Sequence, residues 1–327
     1  METRRLGQTD LKVSALGFGC GAVGGLLVKG AYGDMLRTVA RAIELGVTYF
    51  DTAAAYGNGR SEASLGRVLE ELRADVVVGT KVQLRPDELD DIEQAVLRSV
   101  DQSLRRLRME RVDLIQLHNR VVATRNRERA WVSADDVQAA ARAFQTLQAQ
   151  GKARYWGING LGDTEVLHQV VGSVGANSIQ SCYNLLNPSA GQPVPEGFPF
   201  QDYGQLIDRA AEQKAGVIAI RVLAGGALSG SGTRHANAAP SVAPIATSAT
   251  FDEDVTRARR FRFLVEEGYA ESLVEAAIRF ALAKPGISTA MVGLSNQEQL
   301  EQAVKAAERG PLPAAALERL GPIWATL

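Results

Sequence analysis

Four side chains able to move protons fall at or just beyond the ends of three successive short apolar runs in this sequence. Phe50-Asp51-Thr52-Ala53 closes one run and leads to Tyr56, Gly79-Thr80-Lys81 closes the next, and Leu117-His118 closes the one after that. Together they make proton-transfer machinery that calls for no metal. A phenol with a pKa of ~10 is a poor acid near neutrality, but a cation in contact with it favours the phenolate and lowers that value. Lys81 is the candidate cation, Asp51 the carboxylate that pairs with it, and His118 a hydrogen-bonding partner for the oxygen of a bound carbonyl. Tyr56 would then give a proton to a developing alkoxide, or accept one in reverse. None of these groups carries a hydride, so the set implies a separate hydride carrier. Singly, each has an ordinary alternative: Asp51 as a helix cap, Tyr56 packed in a loop, Lys81 as a surface amine, His118 as a core residue. Their coincidence at the ends of successive runs favours the joint reading.

The elements that must position them alternate regularly. Apolar runs short enough for buried strands occupy Ala15 to Gly19, Val47 to Asp51, Val76 to Thr80, Val112 to Leu117, Ala153 to Ile158, Ser178 to Tyr183, Val217 to Ile220 and Thr289 to Val292. Between them the period becomes helical: Leu36, Val39, Ala40 and Ile43 share a face, as do Val137, Ala140, Ala141 and Phe144, and Leu300, Ala303, Val304 and Ala307. Further helices are expected at Ser61 to Leu72, Glu88 to Leu107, Thr164 to Val171, Tyr203 to Lys214 and Glu271 to Ala283. Near-continuous apolar strands mean burial on both faces, hence a parallel sheet covered by helices. Eight strand-helix units without a linker predict one α/β domain over residues 1–327, a closed (β/α)8 TIM barrel. Arg4 to Val13, around Gly-Gln-Thr-Asp, predicts a short N-terminal β-hairpin ahead of it. Residues 119–133 and 230–254, after the fourth and seventh strands, are expected as long loops.

Composition excludes several classes of partner. With 36 Lys plus Arg against 37 Asp plus Glu, the net charge of −1 argues against a nucleic-acid or anionic-membrane binder, which needs a basic excess. The 13-residue apolar run Leu16 to Val28 holds five glycines and is shorter than the ~20 residues a membrane helix requires. Met1 to Asp10 has no apolar stretch of the kind a secretory signal carries. Cys20 and Cys182 stand far apart, which argues against a disulfide scaffold or zinc module and makes a reducing cytoplasm the expected compartment.

The motifs resemble the aldo-keto reductases. The resemblance rests on Leu16-Gly17-Phe18-Gly19, Asp51-Thr52-Ala53 with Tyr56-Gly57, Ser61-Glu62, Gly79-Thr80-Lys81, the His118 strand, Gly151-Lys152-Ala153-Arg154 leading to Gly157, and Gln180 with Tyr183-Asn184. It implies a barrel that binds NAD(H) or NADP(H) without a Rossmann domain, with Tyr56 as acid/base and Asp51, Lys81 and His118 completing a tetrad. It also implies a small-molecule carbonyl or alcohol substrate. Cofactor contacts implied by the same likeness are Asn159, Gln180 at the carboxamide, Tyr183, Leu223, Gly225, Ser229, Gly293, Ser295 and Gln299. The sequence departs from the family at Gly160, where a serine-asparagine pair is reduced to Asn159, and at Ile220-Arg221-Val222-Leu223, where an aromatic usually stacks on the nicotinamide. Arg221 is instead a candidate for the diphosphate. Between Met291 and Ala303 there is no Lys or Arg of the kind that NADP-preferring members place against the 2′-phosphate.

Gly19-Cys20-Gly21-Ala22-Val23-Gly24 fits GxGxxG, yet the helical face begins only near Asp34, too late for a Rossmann turn. This segment is read as a loop flanking substrate, with Val23, Leu26, Tyr32 and, from the fourth loop, Trp131 as candidate pocket walls. The pattern is similar to sugar-oxidising members of the family, the aldose and galactose dehydrogenases. The alternatives are a general NADPH aldehyde reductase and, because potassium-channel β-subunits resemble the family, a cofactor-sensing regulatory subunit. The oligomeric state is not legible.

Overall fold

A computed structural model describes all 327 residues. A two-stranded antiparallel hairpin, β1 (Thr3–Arg5) and β2 (Lys12–Ser14), precedes eight parallel strands: β3 (Leu16–Gly19), β4 (Tyr49–Asp51), β5 (Val77–Val82), β6 (Val112–Leu117), β7 (Ala153–Gly160), β8 (Ser178–Cys182), β9 (Gly216–Ile220) and β10 (Ile287–Gly293). They pair in chain order and β10 returns to β3, closing the barrel. The main helices run over Tyr32–Glu44, Arg60–Leu72, Ile92–Leu107, Ala134–Ala149, Thr164–Ser173, Leu206–Glu212, Leu273–Ala283 and Gln297–Glu308. Each amphipathic face packs against the apolar outer face of the strands, which is why the strands read as unbroken apolar runs. No helix is long and apolar enough to cross a membrane.

The hairpin closes the N-terminal end. Its Leu6, Leu11 and Val13 meet Tyr49, Leu114, Ile218 and Met291 in a small apolar cluster inside the barrel. The opposite end is left for function, as barrel geometry dictates.

Several boundaries differ from the sequence expectation. β5 extends to Val82, so Lys81 lies within the strand and not beyond its end. One helical turn, Leu26–Lys29, forms directly after the GxGxxG-like segment, but the strands around it close a barrel instead of a Rossmann sheet. In the segment after β9, residues from Phe251 onward form a helix, Phe251–Ala258, begun by a Thr250 cap that accepts from the Glu253 N–H. Residues 230–250 cross the barrel mouth: Ala239 N–H donates to Ala22 O at 3.0 Å, and Asn237 Nδ2 to Ser295 O at 3.0 Å. The loop after β6 is held to the rim, where Asn119 Nδ2 donates to Leu84 O at 2.9 Å and Ala130 O at 2.7 Å.

Candidate active site

Register brings the four candidate groups together. Asp51 pairs across the sheet with Gly79, and Lys81 with Gln116 one strand on, so β4, β5 and β6 deliver their ends to one side of the mouth. Lys81 is 1% exposed and forms a salt bridge with Asp51, also donating to Thr52 O at 2.8 Å and Tyr56 Oη at 3.4 Å. The Tyr56 and His118 rings meet edge to face at 5.6 Å. Behind them, Glu62 fixes both flanks: it accepts from Thr80 Oγ1 at 2.6 Å and from Arg106 Nε at 2.6 Å. Ser61 Oγ donates to Cys20 O at 2.8 Å and lies 2.8 Å from Thr52 Oγ1.

Burial decides the protonation states. It pushes the Tyr56 phenol above its ordinary value and outweighs the opposing pull of Lys81, with the Asp51 charge adding to the rise. This corrects the expectation that Lys81 lowers it overall: the cation moderates the rise without reversing it. The resting group is therefore a phenol, ready to donate. Burial also works against the Lys81 ammonium, but the Asp51 charge, with Tyr56 adding, holds it above its usual range. His118 is pulled down to about 3, first by burial and then by the Lys81 charge. The imidazole is neutral at physiological pH, and its buried Nδ1 has no protein partner.

A pH consequence follows for stability. Unfolded, His118 regains its ordinary value of 6.5, whereas folded it titrates near 3. Between those values the unfolded chain binds more protons, so its contribution is complete above pH 6.5 and is lost as pH falls toward 3. Thermal unfolding of wild type and His118→Gln from pH 8 to pH 4 should show the wild type losing stability relative to the variant as pH drops; parallel curves would mean that His118 takes up its proton as readily in the fold as in the unfolded chain.

The mouth opens into a cavity of about 560 Å³. Asp51, Tyr56 and His118 line it, with Lys81 behind them, and so do Asn159, Gln180, Arg221, Leu223, Gly225, Ser229, Gly293, Ser295, Gln299 and Val23. Four expected residues do not line it. Leu26 is buried in the main core. Tyr32 is on the outer surface, its hydroxyl donating to Glu71 at 2.5 Å under the Arg67 guanidinium. Trp131 lies on the rim between Arg120 and Arg129. Tyr183 turns into the core and stacks on Phe280 at 4.9 Å, so it is not available to a cofactor.

Gln180 and Asn159 have protein partners of their own. Gln180 Nε2 donates to Asp51 Oδ2 at 2.8 Å, and Asn159 Nδ2 to His118 O at 2.9 Å. Two residues not singled out from the sequence also shape the site. Tyr49 Oη donates to Asp51 Oδ2 at 2.9 Å from inside the barrel. Arg234, from the crossing segment, lines the cavity and donates to Gly225 O at 2.8 Å and Val23 O at 3.1 Å. Tyr49 was findable, since residues i and i+2 of a strand share a face; Arg234 gives no such signal.

The cavity fits an elongated anionic dinucleotide. Gly225 and Gly226 have φ of 70° and 108°, which only glycine adopts freely, and a Cβ on either would stand 3.1 Å from an Arg221 or Arg234 nitrogen, respectively. Two guanidiniums thus flank a diglycine turn that Val242 covers at Gly225, and positive charge beside such a turn suits diphosphate oxygens. Arg221 donates to Ala243 O at 3.2 Å and has no carboxylate partner.

Fold and site together define a barrel oxidoreductase. The chain belongs to the aldo/keto reductase family, whose model matches residues 15–325. It is similar to "L-galactose dehydrogenase" of Arabidopsis thaliana, 29% identical over 94% of this chain and 88% of that one. It is also similar to a "Putative voltage-gated potassium channel subunit beta" of Schizosaccharomyces pombe, 29% identical over 93% of this chain and 88% of that one. Among solved structures, aldo-keto reductase AKR11C1 from Bacillus halodurans (holo form) superposes with a TM-score of 0.73 at 25% identity, covering 99% of this chain and 96% of that one. Members of the family use NAD(P)H and act on small carbonyl compounds.

Proposed function

We propose that this chain, acting as one barrel domain over residues 1–327, catalyses dinucleotide-dependent reduction or oxidation at a carbonyl or alcohol carbon, with Tyr56 as the acid/base. The observation that carries this reading is the protonated Tyr56 phenol set between the Lys81 ammonium and the neutral His118 ring at the mouth of the cavity. When bound, the nicotinamide supplies the hydride. In the reductive direction Tyr56 passes its proton to the substrate oxygen, and the Lys81 charge stabilises the phenolate left behind. His118 hydrogen-bonds the same oxygen and orients it. In oxidation the phenolate accepts the proton from the alcohol.

Arg221 and Arg234 hold the diphosphate at the diglycine turn, and Gln180 presents its free side-chain oxygen to the carboxamide. The adenosine end is bounded by Ser295 and Gln299, and the helix that begins there contributes Gln299, Gln302 and Ala303 to the cavity wall, with no lysine or arginine among them. A 2′-phosphate would find no cation from this helix to meet it, which supports NAD(H) over NADP(H). Likeness to an L-galactose dehydrogenase supports a sugar or a similar small hydroxylated aldehyde. The regulatory reading finds less support, since no large hydrophobic side chain is exposed as an apolar docking face would require.

Initial rates with NAD and NADP against L-galactose, and with NADH and NADPH against an aromatic aldehyde, test this reading. Faster turnover with NAD(H) and with the sugar is expected. Tight dinucleotide binding with no turnover on either substrate would instead favour the regulatory reading.

A further inference from the structure

The structure assigns Tyr49 a positioning role: its hydroxyl, rising from the barrel interior, fixes the carboxylate of Asp51 and thereby sets how strongly the Asp51–Lys81 pair acts on Tyr56. This inference rests on the reading above for its kinetic consequence only.

Tyr49 and Asp51 are alternate residues of β4, so both point into the barrel. Tyr49 is fully buried, and its Oη donates to Asp51 Oδ2 at 2.9 Å. Gln180 Nε2 donates to the same oxygen at 2.8 Å, while Lys81 takes Oδ1. The two carboxylate oxygens therefore have divided tasks: one is anchored by neutral donors, the other faces the ammonium that touches Tyr56. The surroundings are shaped for the phenol. A Cβ at Gly79, the partner of Asp51 on the neighbouring strand, would stand 2.6 Å from Tyr49 Oη, and a Cβ at Gly17 would stand 3.0 Å from its ring. Both neighbouring strands thus leave the ring its space. An unpartnered hydroxyl at that depth costs stability, and here Asp51 Oδ2 is its partner.

The sign of its effect follows from the charges. Lys81, Asp51, Tyr49, His118, Cys20 and, across the cavity, Arg221 are the titratable or charged groups around the Tyr56 hydroxyl. Removing the Tyr49 hydroxyl leaves Oδ2 with one donor. The carboxylate then draws harder on the Lys81 proton and stands as a less neutralised negative charge near Tyr56. Both changes raise the pH at which Tyr56 becomes a phenolate. In the oxidative direction, where the phenolate accepts the proton, the acid-side limb of the pH profile moves upward.

Tyr49→Phe keeps the ring and removes the donor. For oxidation of L-galactose with NAD, the acid-side limb of kcat should shift upward by about half to one pH unit, with a fall in kcat of about three- to tenfold near neutrality and little change in KM for the dinucleotide. Tyr49→Met, which also lacks the hydroxyl but packs differently, should shift the limb equally. Limbs that superimpose on the wild type would overturn the assignment and leave Tyr49 a packing residue. A thermal double-mutant cycle of Tyr49→Phe with Asp51→Asn decides the matter without turnover. Loss of melting temperature that is smaller in the Asp51→Asn background supports the assignment, and additive losses contradict it. If the wild type oxidises nothing, the proposed function fails while this cycle still tests the hydrogen bond.

Discussion

Tyr56→Phe should lower turnover by about 10²- to 10⁴-fold, the range typical of losing a positioned acid or base, while dinucleotide affinity stays close to that of the wild type. The hydroxyl is the one group at the mouth that combines an exchangeable proton with a contact to Lys81 at 3.4 Å. Without it, a developing alkoxide has only the neutral His118, whose affinity for a second proton is low, as its value near 3 shows. Imidazole can donate a hydrogen bond to that oxygen but is a poor source of a full proton, since its neutral form would have to become an anion. Binding should persist because the cradle of Arg221, Arg234 and the diglycine turn lies elsewhere in the cavity. Fluorescence titration with the dinucleotide and steady-state rates on the same preparation check both halves. Equal losses in affinity and turnover would place Tyr56 in binding and not in proton transfer.

Lys81→Met should be the most destabilising single change in the site. The substitution roughly keeps the stem of the side chain and removes only the charge, leaving Asp51, 2% exposed, without its counter-ion. Breaking a buried pair in this way costs about 3–5 kcal/mol, and the melting temperature should fall by about 5–10 °C at neutral pH. The remaining carboxylate avoids the full penalty by taking a proton, so its folded pKa rises above the unfolded one. Stability gained by that route is present at low pH and lost as pH rises through the raised value. The deficit of Lys81→Met relative to wild type should therefore shrink as the solution is acidified. Turnover should fall as well, because nothing then stabilises the Tyr56 phenolate. A deficit that does not vary with pH would mean that the Asp51 charge is satisfied by Tyr49 and Gln180 alone.

Much of this architecture is written in the chain because buried parallel strands must be apolar on both faces, and eight such runs separated by helical periods leave few alternatives. The convergence of Asp51, Tyr56, Lys81 and His118 was legible for the same reason: strand ends are where a closed barrel exposes side chains. What a linear pattern does not reveal is which way a rim residue turns. The glycine-rich stretch before Leu26 reads as loop, but Leu26 begins a helical turn that faces the core. Tyr32 and Trp131 stand on the outside and on the rim, each under arginines whose position depends on packing between distant helices and loops. Tyr183 pairs with Phe280, 97 positions later, a partner no local pattern announces. The role of Arg234 depends on a segment that crosses the mouth, and composition alone marks that segment only as loop. The net direction at Tyr56 needed burial as well as neighbours: Lys81 pulls as expected, and desolvation pulls harder.

The central claim is that hydride leaves or reaches a substrate carbon at this mouth while Tyr56 handles the proton. L-galactose deuterated at C1, incubated with NAD and either wild type or Tyr56→Phe, tests it most directly, with the label followed by mass spectrometry of the nucleotide. Each reduced nucleotide formed by the wild type should carry one deuterium, and the variant should form almost no reduced nucleotide over the same interval. Unlabelled reduced nucleotide, or the same labelled yield from Tyr56→Phe, would contradict that claim.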